Sequence, residues 1–270
     1  MRFPSCLVRT PLSPTALCLS PSALLTRYHF FSPSVGLRGA APLSGVRKEA
    51  VLAVVLASFA HDAAHPGLTN DHLVRTGGRL ADQYNDKSPL ENHHIATTLA
   101  LLRLKENRFV ATETIKAMRP TIVRSILATD MASHAGHLRR LAVLVESARA
   151  PEARPWYWPA EHDDAAEFVL ASVLHAADVG VPAKPPAAYL SWERRVMDEF
   201  YAQGDIERAN EGAVVTAGFD RTQPLAGFNY GFVVHVTLPL YEILDLLGIG
   251  LERHLRGIRV NLASASALMP

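Results

Sequence analysis

Cysteine is scarce in this chain. Its two residues, Cys6 and Cys18, both lie in the first twenty positions. The rest of the protein therefore has no disulfide framework and suits a reducing compartment. No apolar run reaches the roughly 18 residues of a membrane-spanning helix. The segment 51–60 stops after ten and reads as a core helix. Net charge is only +1, which gives no sign of nucleic-acid binding. Convincing alternation of apolar and polar residues is missing as well, and so is any internal repeat, which leaves little to build a sheet or solenoid from.

Acidic residues are absent from the first 48 positions, which hold Arg2, Arg9, Arg27, Arg38, Arg47 and Lys48. Without those six, 21 basic side chains face 26 acidic ones, and the remainder carries −5. An acid-free start rich in Arg, Ser and Pro is expected to be a disordered or transit-like leader over 1–44. Its six prolines before residue 45 oppose a long amphipathic helix there. Cytoplasmic residence is the expectation, with an organelle as the alternative if 1–48 is a transit peptide.

What is there reads as helix after helix. The spacing predicts helices over 47–60, 71–83, 89–106, 113–128, 132–149, 163–177, 186–203, 228–247 and 251–262. Asn70 is expected to cap the second of these, and Pro89 suits the first turn of the third. Residues 150–159 read as a loop bearing proline and tryptophan. The expected architecture is all-α, a compact multi-helix bundle, followed by a short tail over 263–270. At 270 residues the chain is long enough for one large domain with a substantial core.

Chemistry gathers at the ends of two apolar runs. The first closes in His61-Asp62-Ala63-Ala64-His65-Pro66-Gly67, the second in His175-Ala176-Ala177-Asp178. Between them stands Glu91-Asn92-His93-His94. Imidazole and carboxylate together bind Zn²⁺ or a similar cation. Each element alone also reads as a capped helix end or a buried hydrogen-bonded pair. Agreement among three segments favours a metal-dependent hydrolase.

Ordered motifs extend this pattern. They are His61-Asp62-x-x-His65-Pro66-Gly67-x-x-Asn70, Tyr84-Asn85-Asp86-x-Ser88-x-Leu90-Glu91-Asn92-His93-His94, Leu127-Ala128-Thr129-Asp130-Met131 and His175-Ala176-Ala177-Asp178. Pro182-Ala183-Lys184-Pro185, Arg195-Val196-Met197-Asp198-Glu199-Phe200, Gln203-Gly204-Asp205 and Pro239-Leu240-Tyr241-Glu242 follow. In this order they resemble the catalytic domain of class I cyclic nucleotide phosphodiesterases over 45–262. The resemblance implies an all-α fold and hydrolysis of a 3′,5′-cyclic nucleotide, cAMP or cGMP, to its 5′-monophosphate in cyclic nucleotide signalling. It implies that His61, Asp62 and Asp178 bind a first metal, Zn²⁺. Asp62 would bridge to a second, Mg²⁺ or Mn²⁺, held mainly by water. His65, Glu91 and Thr129 would orient those waters, with His65 and Glu91 closest to the catalytic work. His94 and Asp130 fit structural hydrogen bonding equally well. Oligomeric state is not legible.

Departures from the family pattern carry their own expectations. The family has an upstream His-Asn-x-x-His-Ala-x-Asp-Val segment, whose first His protonates the leaving oxygen and whose second binds the first metal. This chain has no such segment. Family spacing puts the ligand near Thr26, and His29 stands in unmatched surroundings. Loss of the acid alone costs on the order of 10²–10⁴ in rate. Asn229 stands where the family has its purine-binding Gln, and Val181 where it has an Asn before Pro182. Phe232 matches the aromatic that stacks on the purine, and a core role fits it as well. A catalytically impaired or non-catalytic relative that acts by binding is the alternative function. A general HD-type phosphohydrolase is disfavoured by the downstream motifs.

Overall fold

A computed structural model describes residues 46–107, 110–149, 163–222 and 226–266. The expected leader over 1–44 and the expected loop over 150–159 lie outside the described residues. Among the described residues the regular structure is entirely helical. No helix there is long and apolar enough to cross a membrane.

In chain order the helices are α1 Lys48–Ala60, α2 Asn70–Arg75, α3 Arg79–Tyr84, α4 Pro89–Arg103, α5 Thr112–Leu127 and α6 His134–Arg149. They continue as α7 Asp163–Asp178, α8 Pro186–Glu211, α9 Ala226–Phe232, α10 Leu238–Leu246 and α11 Glu252–Ser266. The last ends four residues beyond the expected boundary.

The helix expected over 71–83 is two short helices. Gly77 takes φ +63° between them, a left-handed conformation that breaks the helical run. Asn70 is not the cap. Thr69 caps α2, its hydroxyl accepting from the His72 amide at 3.3 Å. The segment expected as one helix over 228–247 widens into a π-turn at Val233–Thr237. Pro239 has no amide to donate four residues back, and the Leu238 amide bonds to Val233 O instead.

Two cores share one helix. In the first, Ala50, Ala53, Val54 and Ala57 of α1 meet Met118, Ile122 and Ile126 of α5 and Ile95 and Leu99 of α4. In the second, Leu240, Tyr241 and Leu244 of α10 meet Leu141 and Val145 of α6 and Leu255 and Ile258 of α11. Helix α7 serves both. Leu170 and Leu174 face the first, while Phe168, Val169 and Val173 face the second. Burying each large aliphatic contributes about 1.5–3 kcal/mol, so α7 is held from both sides. The small residues of α1 let it lie close to α5 and α7. A third, smaller cluster of Leu73, Leu80, Ala81 and Leu90 ties α2 and α3 onto α4.

Candidate metal centre

Helix α1 ends at Ala60, and α4 supplies partners for the carbonyls its end leaves open. Thr98 Oγ1 donates to Ala60 O at 3.2 Å, and His94 Nδ1 lies 2.8 Å from Ala63 O. The chain then turns through Ala64 at φ +60° and Gly67 at φ +75°. This places His61 in the interior, 1% exposed, with Asp62 half-exposed beside it. Helix α7 ends at Asp178, at the same place.

His61 Nε2 lies 2.9 Å from Asp178 Oδ1 and 3.1 Å from Asp62 Oδ2. One ligand atom from each of the three lies within 4.8 Å of the others. Burial pushes the imidazole pKa down, but the charges and hydrogen bonds of Asp62 and Asp178 outweigh it and raise it to about 9. Burial likewise opposes the Asp62 charge, and His61 holds that carboxyl well below the usual range. Two carboxylates therefore converge on one buried nitrogen. A positive charge is favoured there, whether a proton or a cation. Imidazole plus two carboxylates is a fitting donor set for Zn²⁺ or a related ion, and three protein ligands leave positions open for water.

The surrounding residues differ in what they touch. His65 is exposed and stacks on His94, ring centroids 5.5 Å apart. Its Nδ1 accepts from the Gly67 amide at 3.0 Å, which leaves its proton on Nε2. Burial pushes His94 down to about 4, so this ring is neutral near pH 7. Glu91 sits at the first turn of α4, and burial, aided by Asp130 and Asp62, raises its pKa. Asn70 holds it in place: Asn70 Nδ2 donates to Glu91 Oε2 at 2.9 Å, and Asn70 Oδ1 accepts from the Leu90 amide at 2.9 Å. Asn70 thus caps α4 rather than α2. Thr129 gives its hydroxyl hydrogen to Ile126 O at 2.7 Å. Asp130 accepts from Ser88 Oγ at 2.6 Å and from the Ala132 amide at 2.9 Å, which fits a structural role.

Among the described residues, the non-glycine positions with positive φ are Ala64, Asn85, Asp86 and Ser88. Ala64 lies directly before His65, and the other three lie in the segment that leads to Glu91. Such conformations cost about 1–3 kcal/mol each and persist where surrounding structure over-determines them.

The remaining candidates sit on other elements. Val181 opens the short 3₁₀ turn Val181–Ala183 after α7 and is half-buried. Gly180 before it is obligatory, because a Cβ would stand 2.4 Å from Tyr241 Oη. Phe232 ends α9, half-buried against the second core. Asn229, one turn earlier, faces a cavity of about 500 Å³ lined by Tyr189, Glu193, Met197 and Asn261, among others. His61, Asp62 and Asp178 are not among its lining residues. Asn229 Nδ2 donates to Glu193 Oε1 at 2.7 Å, and Tyr189 Oη donates to the same oxygen at 3.0 Å. No sequence signal marked Glu193 or Tyr189. Asn70 was inside a recognised motif, yet its reach to α4 needed the fold.

A family model described as 3′5′-cyclic nucleotide phosphodiesterase matches residues 42–258. The chain belongs to that family. It is 36% identical over 197 residues to mouse 3′,5′-cyclic-AMP phosphodiesterase 4C, covering 71% of this chain and 28% of the mouse protein. It is 34% identical over 196 residues to a probable 3′,5′-cyclic-AMP phosphodiesterase, pde-4, of Caenorhabditis elegans, covering 71% of this chain and 29% of that protein. The chain thus spans less than a third of the length of either relative. Among solved structures, the phosphodiesterase domain of the RhoPDE fusion protein of the choanoflagellate Salpingoeca rosetta superposes with a TM-score of 0.79 at 28% identity. That match covers 91% of this chain and 76% of the other. The fold of this phosphodiesterase family member is therefore the all-α fold of its relatives.

Proposed function

We propose that this phosphodiesterase family member binds and hydrolyses a 3′,5′-cyclic nucleotide, with cAMP favoured, in a metal-dependent reaction. The observation that carries the reading is the meeting of His61, Asp62 and Asp178 at the ends of α1 and α7. His61, Asp62 and Asp178 would hold Zn²⁺, and Asp62 would also serve a second ion, Mg²⁺ or Mn²⁺. Bound divalent cations supply phosphate charge neutralisation and a hydroxide nucleophile near neutral pH. Glu91, fixed by Asn70, accepts hydrogen bonds from the water that attacks phosphorus. His65, with Nδ1 held as an acceptor, offers Nε2–H to the reacting oxygens. Thr129 would help to orient the metal-bound waters.

Base choice rests on Asn229. Glu193 accepts one of the two amide hydrogens of Asn229, which fixes the amide's orientation and leaves Oδ1 and one N–H for a ligand. An acceptor suits the exocyclic amine of adenine and disfavours the oxygen of guanine at the same position. The relatives described as cyclic-AMP phosphodiesterases agree with this preference. Phe232 offers a face for the purine, and Val181 offers no polar contact.

The absent upstream His pair favours a second reading, a relative that binds with little turnover. Purified protein assayed with cAMP and cGMP in Mg²⁺ and Mn²⁺, beside Asp62→Ala, separates the two. Slow hydrolysis that disappears in the variant supports the enzyme. Equal residual rates in both proteins reject the site. Nucleotide binding by calorimetry with no turnover in either establishes the binding-only relative.

A further inference from the structure

We infer that Glu207, on α8, is a positioning residue for Glu91, acting through Gln203, Thr69 and Asn70. The inference rests on the reading that Glu91 serves the metal centre. Glu207 is fully buried, yet it is held as a carboxylate. Burial opposes its charge, but Thr216, Gln203 and Val215 more than offset this and lower its pKa to about 2. Thr216 Oγ1, the Thr216 amide and the Val215 amide donate to it at 2.6, 2.9 and 2.8 Å. Gln203 Nε2 and an Arg75 guanidinium nitrogen donate at 2.9 and 3.0 Å, with His72 Nδ1 at 3.4 Å.

Apolar residues of similar volume often stabilise a fold as well as a buried charge does. The position of this charge suggests another use. Gln203 is 1% exposed and locks onto Thr69 from both sides. Its Oε1 accepts from the Thr69 amide at 2.8 Å, and its Nε2 donates to Thr69 Oγ1 at 3.1 Å. The next residue is Asn70, which holds both the Leu90 amide and Glu91 Oε2. Hydrogen bonds from Glu207 through Gln203 to Thr69, the peptide bond from Thr69 to Asn70, and the hydrogen bond from Asn70 to Glu91 therefore link α8 to that carboxylate. The segment from His65 to Thr69, which leads into Asn70 at the start of α2, has no helix of its own to stiffen it. Without the anchor on α8, Asn70 is free to shift, and Glu91 with it.

The test uses Glu207→Gln and Gln203→Leu in the full chain, with Ile258→Val as a destabilised control in the distant second core. Mn²⁺ affinity is measured by calorimetry, stability by thermal melting, and hydrogen exchange at the amides of Thr69 and Leu90. Loss of groups that orient a metal site weakens metal affinity about 10–100-fold. Both network variants should weaken Mn²⁺ binding by about 10-fold and speed exchange at Leu90, while Ile258→Val lowers the melting temperature alone. Gln203→Leu added to Asn70→Ala should weaken Mn²⁺ binding no further than Asn70→Ala does, because the two act in series. Lower melting temperatures with unchanged Mn²⁺ affinity and unchanged Leu90 exchange would reduce Glu207 to a structural residue and overturn the inference. Undiminished Mn²⁺ binding in Asp62→Ala would instead overturn the metal-centre reading. In that case Leu90 exchange alone decides the linkage: faster in Glu207→Gln supports it, and unchanged rejects it.

Discussion

His61 and His175 are equally buried, at 1% and 0% exposure, and their pKa values move in opposite directions. His61 is raised to about 9 and His175 is pushed down to about 4. Burial depresses both. His61 has two carboxylates at hydrogen-bond distance, Asp62 and Asp178. His175 has another imidazole, with His134 Nδ1 at 2.9 Å from its Nε2 and the His137 ring 5.8 Å away. Asp178 and Asp130 act on it only from farther off, and Arg140 bears on His137. One cluster is built to hold positive charge and the other to exclude it. In the second, one ring nitrogen of the His134–His175 pair donates and the other accepts, and the outer nitrogen of each ring has no hydrogen-bond partner among the described residues. The lesson is that a buried histidine says little until its neighbours are known. His175 belongs to a family motif beside Asp178, yet only Asp178 joins His61 and Asp62 at the candidate metal centre.

The largest expected effect comes from taking a carboxylate away from the first cluster. Asp62→Ala should abolish residual turnover, because the variant loses the carboxylate proposed to serve both ions. Its Mn²⁺ affinity should fall by ~100-fold or more, beyond the range seen when merely supporting groups are lost. Calorimetry with Mn²⁺ checks this, and unchanged affinity breaks the comparison outright.

Acid should act on the second cluster. The folded pKa of His175 lies below its unfolded value of about 6.5, so the unfolded chain takes up the proton first. Stability from this group is present above pH 6.5 and declines as pH falls toward 4. A shift from 6.5 to about 4 corresponds to on the order of 3 kcal/mol. Thermal melting between pH 7 and pH 4 measures it, and His175→Gln should flatten that decline. An equal decline in the variant would place the acid sensitivity elsewhere.

Asn70→Ala removes the cap on α4 and the partner of Glu91 Oε2. A lost cap costs about 0.5–2 kcal/mol, and the melting temperature should drop accordingly. Turnover with cAMP should fall by more than the stability loss explains, visible in kcat at saturating metal. An unchanged kcat would mean that Glu91 needs no help from Asn70.

The smallest effect concerns base choice, where again a carboxylate decides what its neighbour presents. Glu193→Gln gives Asn229 a partner that both donates and accepts, so the Asn229 amide can turn. The ratio of kcat/KM for cAMP over cGMP should narrow, by up to ~10-fold, or about 1.4 kcal/mol. Competition binding provides the same ratio if turnover is too slow. A constant ratio would remove Glu193 from specificity.

Much of this molecule was legible in its residues. Apolar spacing without alternation determines an all-helical chain, because a 3.6-residue period buries one stripe and a two-residue period does not fit it. That His61, Asp62 and Asp178 stand as imidazole and carboxylates at the ends of two apolar runs was likewise visible. Tertiary structure alone decided the rest. Spacing along the chain cannot say that α1 and α7 end at one point, since their packing depends on small residues of α1 meeting a helix held between two cores. It cannot say that Asn70 caps α4, a bond across twenty residues, or that Gln203 reaches Thr69 across more than 130. Nor can it separate the positive charge favoured at His61 from the neutral ring favoured at His175, because electrostatic shifts follow distance in space and burial rather than order in the chain.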